Sequence, residues 1–263
     1  MNNYYFSIVT PVFNRPQFLE QTIKSVLSQQ FKNYEYIIVD GKSKPTTLNI
    51  LNKYKSKIQL ISEKDNGMYD ALHKGFSIAS GKYFMWLNSD DFFLDKKSLL
   101  RLYNHLQNFN NHWITGKISI TSNQDNKVKT YFPLIYPQFI IKNGLANNCF
   151  WGFIQQENTV FSKQLYKKVG GVNRDFKMAG DFDLWKKFSN YSDLKTVPIK
   201  IGVFRKRIGQ LSSDQESYLK EINKIYCYIP IGKIFRLIYS NILNFYVILK
   251  KYLLNWNINF LYF

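Results

Sequence analysis

Cysteine is nearly absent from this chain of 263 residues: Cys149 and Cys227 stand far apart and in no Cys-x-x-Cys pairing. That excludes a disulfide scaffold, a cysteine-based structural zinc site and a thioredoxin-like motif, and it suits a reducing compartment. With 13 glycines and 7 prolines the chain is neither collagen-like nor a linker. Met1 to Phe6 carry no basic n-region, and Pro11 interrupts the short apolar run at Ile8-Val9, so no signal peptide is expected and a cytoplasmic location follows. The first strand-like run leads into Pro11-Val12-Phe13-Asn14-Arg15 rather than Gly-x-Gly-x-x-Gly, and no P-loop occurs, which disfavours a nicotinamide-dependent oxidoreductase and a P-loop NTPase. Acid is also scarce. Against 36 basic residues stand 18 acidic ones, all at or before Glu221, whereas Lys224, Lys233, Arg236, Lys250 and Lys251 follow it. Such a balance points to an anionic partner (nucleic acid, anionic lipid or a phosphorylated substrate), or to a composition simply biased toward lysine.

What is present is enough to fold: 45% of residues are apolar and 17% aromatic, in a length that suits one α/β domain with an appendage or two domains. From Phe6 to Leu87, strand-like runs alternate with helical periods, the pattern of βαβ units and a parallel sheet. Strands are expected at Phe6–Thr10, Tyr36–Val39, Ile58–Ser62 and Tyr83–Leu87. Helices are expected after Pro16 (Leu19, Ile23, Val26 and Leu27 on one face), around Leu48, Leu51 and Tyr54, and from Met68 to Ala79 with Gly81 as its C′ stop. Beyond Asp91 come a helix at Ser98–Gln107, a strand at Trp113–Ile120, an irregular substrate-facing stretch from Thr121 to Asn148, and a helix at Asp181–Phe188. Ser213-Asp214-Gln215-Glu216 has capping-box spacing and should start a helix running to Tyr228, before Pro230. The tail from Ile231 to Phe263 is aromatic, aliphatic, basic and free of acid; Leu237–Leu249 is interrupted by Ser240, Asn241 and Asn244 and is short of the ~20 apolar residues that cross a bilayer. It reads as an interfacial helix pair on an anionic membrane surface, or as a segment packed on the body or on another copy.

Ligands of open parallel sheets bind beyond the carboxyl ends of the strands. The polar groups there are Thr10-Pro11, Asp40, Glu63 to Gly67, and Asn88-Ser89-Asp90-Asp91. Paired carboxylates at a buried strand end are costly unless solvated, hydrogen-bonded or neutralised, and hard cations such as Mg²⁺ or Mn²⁺ take such oxygens together with substrate phosphates. Asp90-Asp91, with Asp40 and the Asp65-Asn66-Gly67 loop at neighbouring strand ends, therefore suggests a metal–diphosphate site, although Asp91 could also cap a turn. Lys74 and the cluster Arg205-Lys206-Arg207 could neutralise phosphates, or the cluster could be merely solvated.

The runs Ile8 to Asn14, Ile37 to Ser43, Asp65 to Gly75 and Leu87 to Asp91, in this order and spacing, resemble the successive motifs of family 2 glycosyltransferases. Gly67-Met68-Tyr69-Asp70-Ala71 is similar to the branch that assembles bacterial exopolysaccharides and lipid-linked glycans. The segment from Gln156-Glu157 through Gly170-Gly171 to Asp181-Phe182-Asp183-Leu184-Trp185 resembles the acceptor side, so the likeness covers about residues 6 to 210.

The resemblance implies a GT-A fold, an α/β architecture with a Rossmann-like, mostly parallel sheet flanked by helices. It also implies a nucleotide-diphospho-sugar donor, a UDP-sugar by the likeness at Asp40, with Mn²⁺ or Mg²⁺ and inversion at the anomeric carbon. Asp40 would bind the nucleobase, and Thr10 and Pro11 would line its pocket. Asp65, Gly67 and Lys74 would contribute to the donor site. Asp90 and Asp91 would hold ribose and metal-bound diphosphate, Asp91 ligating directly, and Asp181 would be the catalytic base, with Asp183 in reserve and helix capping as its bland alternative. Residues 1–212 would form the catalytic domain, 1–91 its nucleotide half and 92–212 its acceptor half, followed by the membrane-surface segment 213–263. The acceptor would be a glycan or a polyprenyl-diphosphate-linked sugar, met on the inner face of the cell membrane, with no nucleic acid expected. Two positions depart from the family pattern: Asn88 replaces the first acid of Asp-x-Asp, and His73 replaces an asparagine. Asn88 keeps open an inactive, donor-binding relative, and the charge keeps open a basic nucleic-acid-binding protein, which the acidic strand ends disfavour.

Overall fold

A computed structural model describes residues 4–108, 112–122, 127–132, 134–146, 152–207, 209–210 and 214–225. Both cysteines, Ser213, Pro230 and the tail from residue 226 lie outside these, and with them the expected membrane-surface helices. The compact unit that includes the described residues ends at Ile225.

Its first half is a run of βα units: β1 (Phe6–Val12), α1 (Pro16–Leu27), β2 (Tyr34–Asp40), α2 (Pro45–Tyr54), β3 (Gln59–Ser62), α3 (Met68–Ile78) and β4 (Tyr83–Trp86). Pro16 and Pro45 take the first helical positions, where a missing N–H costs nothing. The strands pair in parallel in the order β3-β2-β1-β4, in a register that sets Val12 opposite Asp40 and Val9 opposite Trp86, so their carboxyl ends lie side by side.

The second half comprises β5 (Phe92–Phe93), α4 (Ser98–Asn108), β6 (Trp113–Ser122), β7 (Lys129–Tyr131), α5 (Gln138–Lys142), β8 (Thr159–Ser162), α6 (Lys163–Lys168), α7 (Gly180–Ser189), β9 (Lys195–Lys200), β10 (Gly202–Lys206) and α8 (Gln215–Ile225). The sheet continues from β4 through antiparallel β8 to β6, β10 and β5, with β7 and β9 also paired to β6.

Every residue of β1 is buried, and alternation sorts its side chains between two layers. Phe6, Ile8 and Val12 pack with Leu19, Ile23 and Val26 of α1, Leu51 of α2 and Leu99, Leu102 and Leu106 of α4. Val9 faces α3, where Gly75 lets the helix come so close that a Cβ there would sit 2.5 Å from a Val9 methyl. This second layer is aromatic. Trp185 of α7 stacks on Trp86 and Trp113, each with ring centroids 5.7 Å away, and Phe161 and Phe188 close the cluster.

Three expectations need correction. Gly81 is not a helix stop: α3 ends at Ile78 with Ala79 extended, and Gly81 is required because a Cβ would lie 2.7 Å from the Ser7 backbone nitrogen. The stretch from Thr121 to Asn148 is not irregular throughout, since it holds β7 and α5, too short to show a period. α8 is capped by Asp214, whose carboxylate accepts from the Ser217 amide at 3.1 Å, so its start is one residue later than the capping-box spacing suggests.

Candidate active site

The carboxyl ends of β1, β2 and β3 are laced together before any ligand is considered. Asp40, fully buried at the end of β2, accepts from the Ser62 hydroxyl at 2.7 Å and from the Ser43 amide at 3.2 Å. The Ser43 hydroxyl in turn accepts from the Asn14 amide, and the Asn14 side chain accepts from the Lys44 amide at 2.7 Å. Gly41 has no Cβ because Asp65 fills that space, with a carboxylate oxygen 2.5 Å from where one would be. Asp65 accepts from the Gly67 amide at 2.9 Å, and its carboxyl is pushed up mainly by burial, with Asp70 and Asp40 adding like charge. Gly67, at φ 122°, turns the chain into α3 in a conformation that side chains resist. Thr10 belongs to the interior: its hydroxyl is bonded to that of Tyr36 at 3.1 Å, so its side chain braces the sheet beneath the loops. Lys74 is held by Glu63 and the Lys64 carbonyl, both at 2.8 Å, which fastens the loop between β3 and α3.

After β4 the two adjacent aspartates lead different lives. Asp91 is fully buried, and its oxygens accept from the Arg205 amide at 3.0 Å and from the side-chain amides of Asn88 and Gln156, each at 3.2 Å. Burial pushes its carboxyl up, and buried Glu157 adds like charge; burial likewise raises Glu157 to about 8. Asp90 is partly open and pairs with Arg207, while its carbonyl accepts from the Arg205 guanidinium at 3.0 Å. Arg205 is not solvated. It is buried between the rings of Phe18 and Phe92, 4.3 and 5.0 Å from their centroids, and donates to Gln21 at 2.6 Å. Of the basic cluster, then, Arg205 and Arg207 hold the Asp90-Asp91 turn.

Asp181 lies in the first turn of α7, buried, with one oxygen accepting from the Phe182 amide at 2.8 Å and from the Tyr69 hydroxyl at 3.2 Å. Burial raises its carboxyl to about 6, which leaves it ionised at neutral pH and able to take a proton. It does not cap the helix; Ala179 occupies that position. Asp183 is paired with Lys187 at 2.6 Å. The loop leading to α7 is clasped by Glu221 of α8, which accepts from the amides of Lys177, Met178 and Ala179 at 2.7–2.8 Å. The Lys177 side chain donates to the Asn66 carbonyl, bringing this loop onto the Asp65–Gly67 turn.

Tyr69, Gln156, Glu157 as a buried acid, and Glu221 are the groups that sequence reasoning did not place in the site. Their partners lie far away in the chain, and only the Tyr69 and Gln156-Glu157 motifs offered a signal. The residues also pass a chemical test for a hard cation. Asn88 Oδ1 and Gln156 Oε1 are buried without a hydrogen-bond partner beside the aspartate pair. No group of three or more His, Cys, Asp or Glu forms a complete metal cage among the described residues. Asp90 and neutral amide oxygens suit a cation that takes its remaining ligands from a substrate diphosphate.

Comparison with known proteins gives this geometry a context. The sequence profile described as glycosyl transferase family 2 matches residues 7–170. An uncharacterized glycosyltransferase of Rickettsia prowazekii is 30% identical over 193 residues, 72% of this chain and 59% of that protein, so the match spans about three fifths of that relative. The Escherichia coli enzyme WfgD, a UDP-Glc:alpha-D-GlcNAc-diphosphoundecaprenol beta-1,3-glucosyltransferase, is 26% identical over 85% of each chain. Among solved structures, Staphylococcus aureus TarS in complex with UDP-GlcNAc superposes with a TM-score of 0.65 at 17% identity, covering 89% of this chain and 64% of that one. A mannosyltransferase from Pyrobaculum calidifontis, solved with GDP-Man and Mn²⁺, gives 0.62 at 14% identity over 82% of this chain and 61% of that one. The curled sheet with its flanking helices is the GT-A glycosyltransferase fold, and the chain belongs to glycosyl transferase family 2.

Proposed function

We propose that the protein transfers a sugar, with inversion at the anomeric carbon, from a UDP-sugar to a hydroxyl of a lipid-linked or growing surface glycan. The observation that carries this reading is one buried carboxylate poised near neutrality, Asp181, held by Tyr69 and within electrostatic reach of Glu157, which also faces Asp91. The donor named for WfgD and the UDP-GlcNAc complex of TarS support a uridine nucleotide, and the diphosphoundecaprenol acceptor named for WfgD supports a lipid-linked one.

In this mechanism Asp40 and Asp65 bind the nucleoside, and the Gly67 turn lets the donor approach the backbone. Thr10 and Pro11 form the floor. Lys74 steadies the donor loop. Asp181 takes the proton of the acceptor hydroxyl as its oxygen attacks the anomeric carbon from the face opposite the diphosphate. The sugar–phosphate bond breaks, and the nucleoside diphosphate departs. Asp90, whose carboxylate is the more open of the pair, together with Asn88 would hold a divalent cation, while Asp91 anchors the turn from within. Such a cation, when bound, supplies Lewis-acid stabilisation of the leaving diphosphate. No helix among the described residues is long and apolar enough to cross a membrane; the acid-free tail is assigned to the anionic inner face of the cell membrane.

The test is a thermal-shift panel of UDP, GDP, TDP and CMP with and without Mn²⁺, followed by a transfer assay, on the parent protein and Asp181→Asn. UDP with Mn²⁺ should stabilise both proteins alike, while the variant should lose turnover on the order of 10²–10⁴-fold. No stabilisation by any nucleotide would remove the reading.

A further inference from the structure

The segment between β6 and β8 leaves an apolar surface that the site does not use. Tyr131 is 51% exposed, Phe132 67%, Ile135 42%, Phe139 38% and Val128 37%, all within twelve residues of one another in a body whose other aromatics are mostly core. Large side chains concentrated in this way, rather than scattered singly, mark a binding surface. The charged residues within the stretch are of one sign. Lys127, Lys129 and Lys142 are exposed among them, Lys117 reaches over the Phe132 ring with its amino group 5.2 Å from the centroid, and no acidic residue occurs from 126 to 156.

The segment is firmly seated on its other side. On α5, Ile140 and Ile141 are buried while Phe139 and Lys142 look outward. Gln138 donates to the Ser189 carbonyl at 2.8 Å, the Leu134 carbonyl accepts from Thr196 at 2.8 Å, and Tyr136 donates to the Phe153 carbonyl at 2.7 Å. Gly144 meets the ring of Phe182, the residue after Asp181. Aromatic and aliphatic tips with a lysine rim on a fixed support are the chemistry of an interfacial membrane contact, where rings enter the headgroup boundary and ammonium groups meet anionic lipid.

We propose that residues 127–132 and 134–142 form a membrane-docking face for an anionic lipid bilayer, which holds the α7 end of the site at the lipid surface. This adds a surface on the folded body to the membrane reading of the tail and fails separately from it. The experiment is hydrogen–deuterium exchange of the full chain with vesicles of phosphatidylglycerol and phosphatidylcholine, against phosphatidylcholine alone, paired with sedimentation of the parent and of a Phe132→Ser, Phe139→Ser double variant. The expected result is protection of peptides from 127–132 and 134–142 on phosphatidylglycerol vesicles only. The double variant should partition about tenfold less, as loss of two partly inserted rings implies, and should keep its melting temperature and its binding of soluble UDP. Binding that protects only the tail would overturn the proposal and leave the membrane reading standing. Protection that rises with protein concentration in the absence of vesicles would replace the bilayer with a second copy of the chain, and equal binding to phosphatidylcholine alone would overturn the anionic specificity.

Discussion

Replacing Tyr69 by phenylalanine isolates one hydrogen bond to the proposed base. The Tyr69 hydroxyl has two acceptors, the Met178 carbonyl at 3.1 Å and Asp181 Oδ1 at 3.2 Å. A hydrogen bond to a charged group contributes about 1.5–3 kcal/mol, and a proton shared between two acceptors delivers about half of that to the carboxylate. At about 1.4 kcal/mol per pH unit, losing it raises the Asp181 pKa by about one unit. The sign follows from which form is favoured: the hydroxyl stabilises the ionised carboxylate, so its removal favours the protonated one. The carboxyl that burial already raises to about 6 should titrate near 7 in the variant. Because the ionised form is the base, the acidic limb of kcat/KM should move up with it. The loss would be about eightfold at pH 5.5, about twofold at pH 7 and nearly nothing at pH 8. A pH–rate profile from 5 to 9 on soluble donor and acceptor reads this directly, with melting temperature as the control for the Met178 carbonyl left unpaired. A loss equal at all pH values, or an unmoved limb, would refute the assignment of Tyr69 as the group that tunes the base.

Two further outcomes follow from the same structure. Asp90→Ala, which leaves Arg207 without its carboxylate, should lower the melting temperature of the free protein less than Asp91→Ala does but abolish the Mn²⁺-dependent stabilisation by UDP. Asp91→Ala, which strands three donors at about 1–3 kcal/mol each, should melt several degrees lower with or without the cation; the reverse pattern would return direct ligation to Asp91. Gly81→Ala would drive a methyl to within 2.7 Å of the Ser7 backbone nitrogen and 2.8 Å of the Phe6 carbonyl carbon. It should cost about 2–3 kcal/mol, a fall of about 5–10 °C in a domain of this size, measured by calorimetry; an unchanged melting temperature would show that β1 and the α3–β4 turn yield easily.

The parallel half of the sheet was legible because β1, β2 and β4 are buried almost throughout and the strands alternate with helices of clear period. The second half was legible only in α4, β6, α7 and α8. β9 carries Pro198 between two lysine ends, and β10 ends in Arg205-Lys206 of the basic cluster, so both present the composition of a loop. Their strand character comes from pairing to β6, a neighbour about 80 residues earlier in the chain. In the site, carboxylates at strand ends could be found from their type and place alone. Which of two adjacent aspartates is open could not, because that is decided by Arg205, 114 residues away from Asp91. The same holds for Tyr69, which meets Asp181 across 112 residues.

The three amides that Glu221 gathers ahead of α7 set how short a working version of this chain can be. Composition alone invites a cut near residue 212, ahead of a basic appendage. Such a cut would keep every described strand and every aspartate of the donor site, yet remove the carboxylate that fixes the approach to Asp181. The smallest piece that retains all the described parts of the machinery therefore ends after α8, at Ile225, and the appendage begins only beyond it.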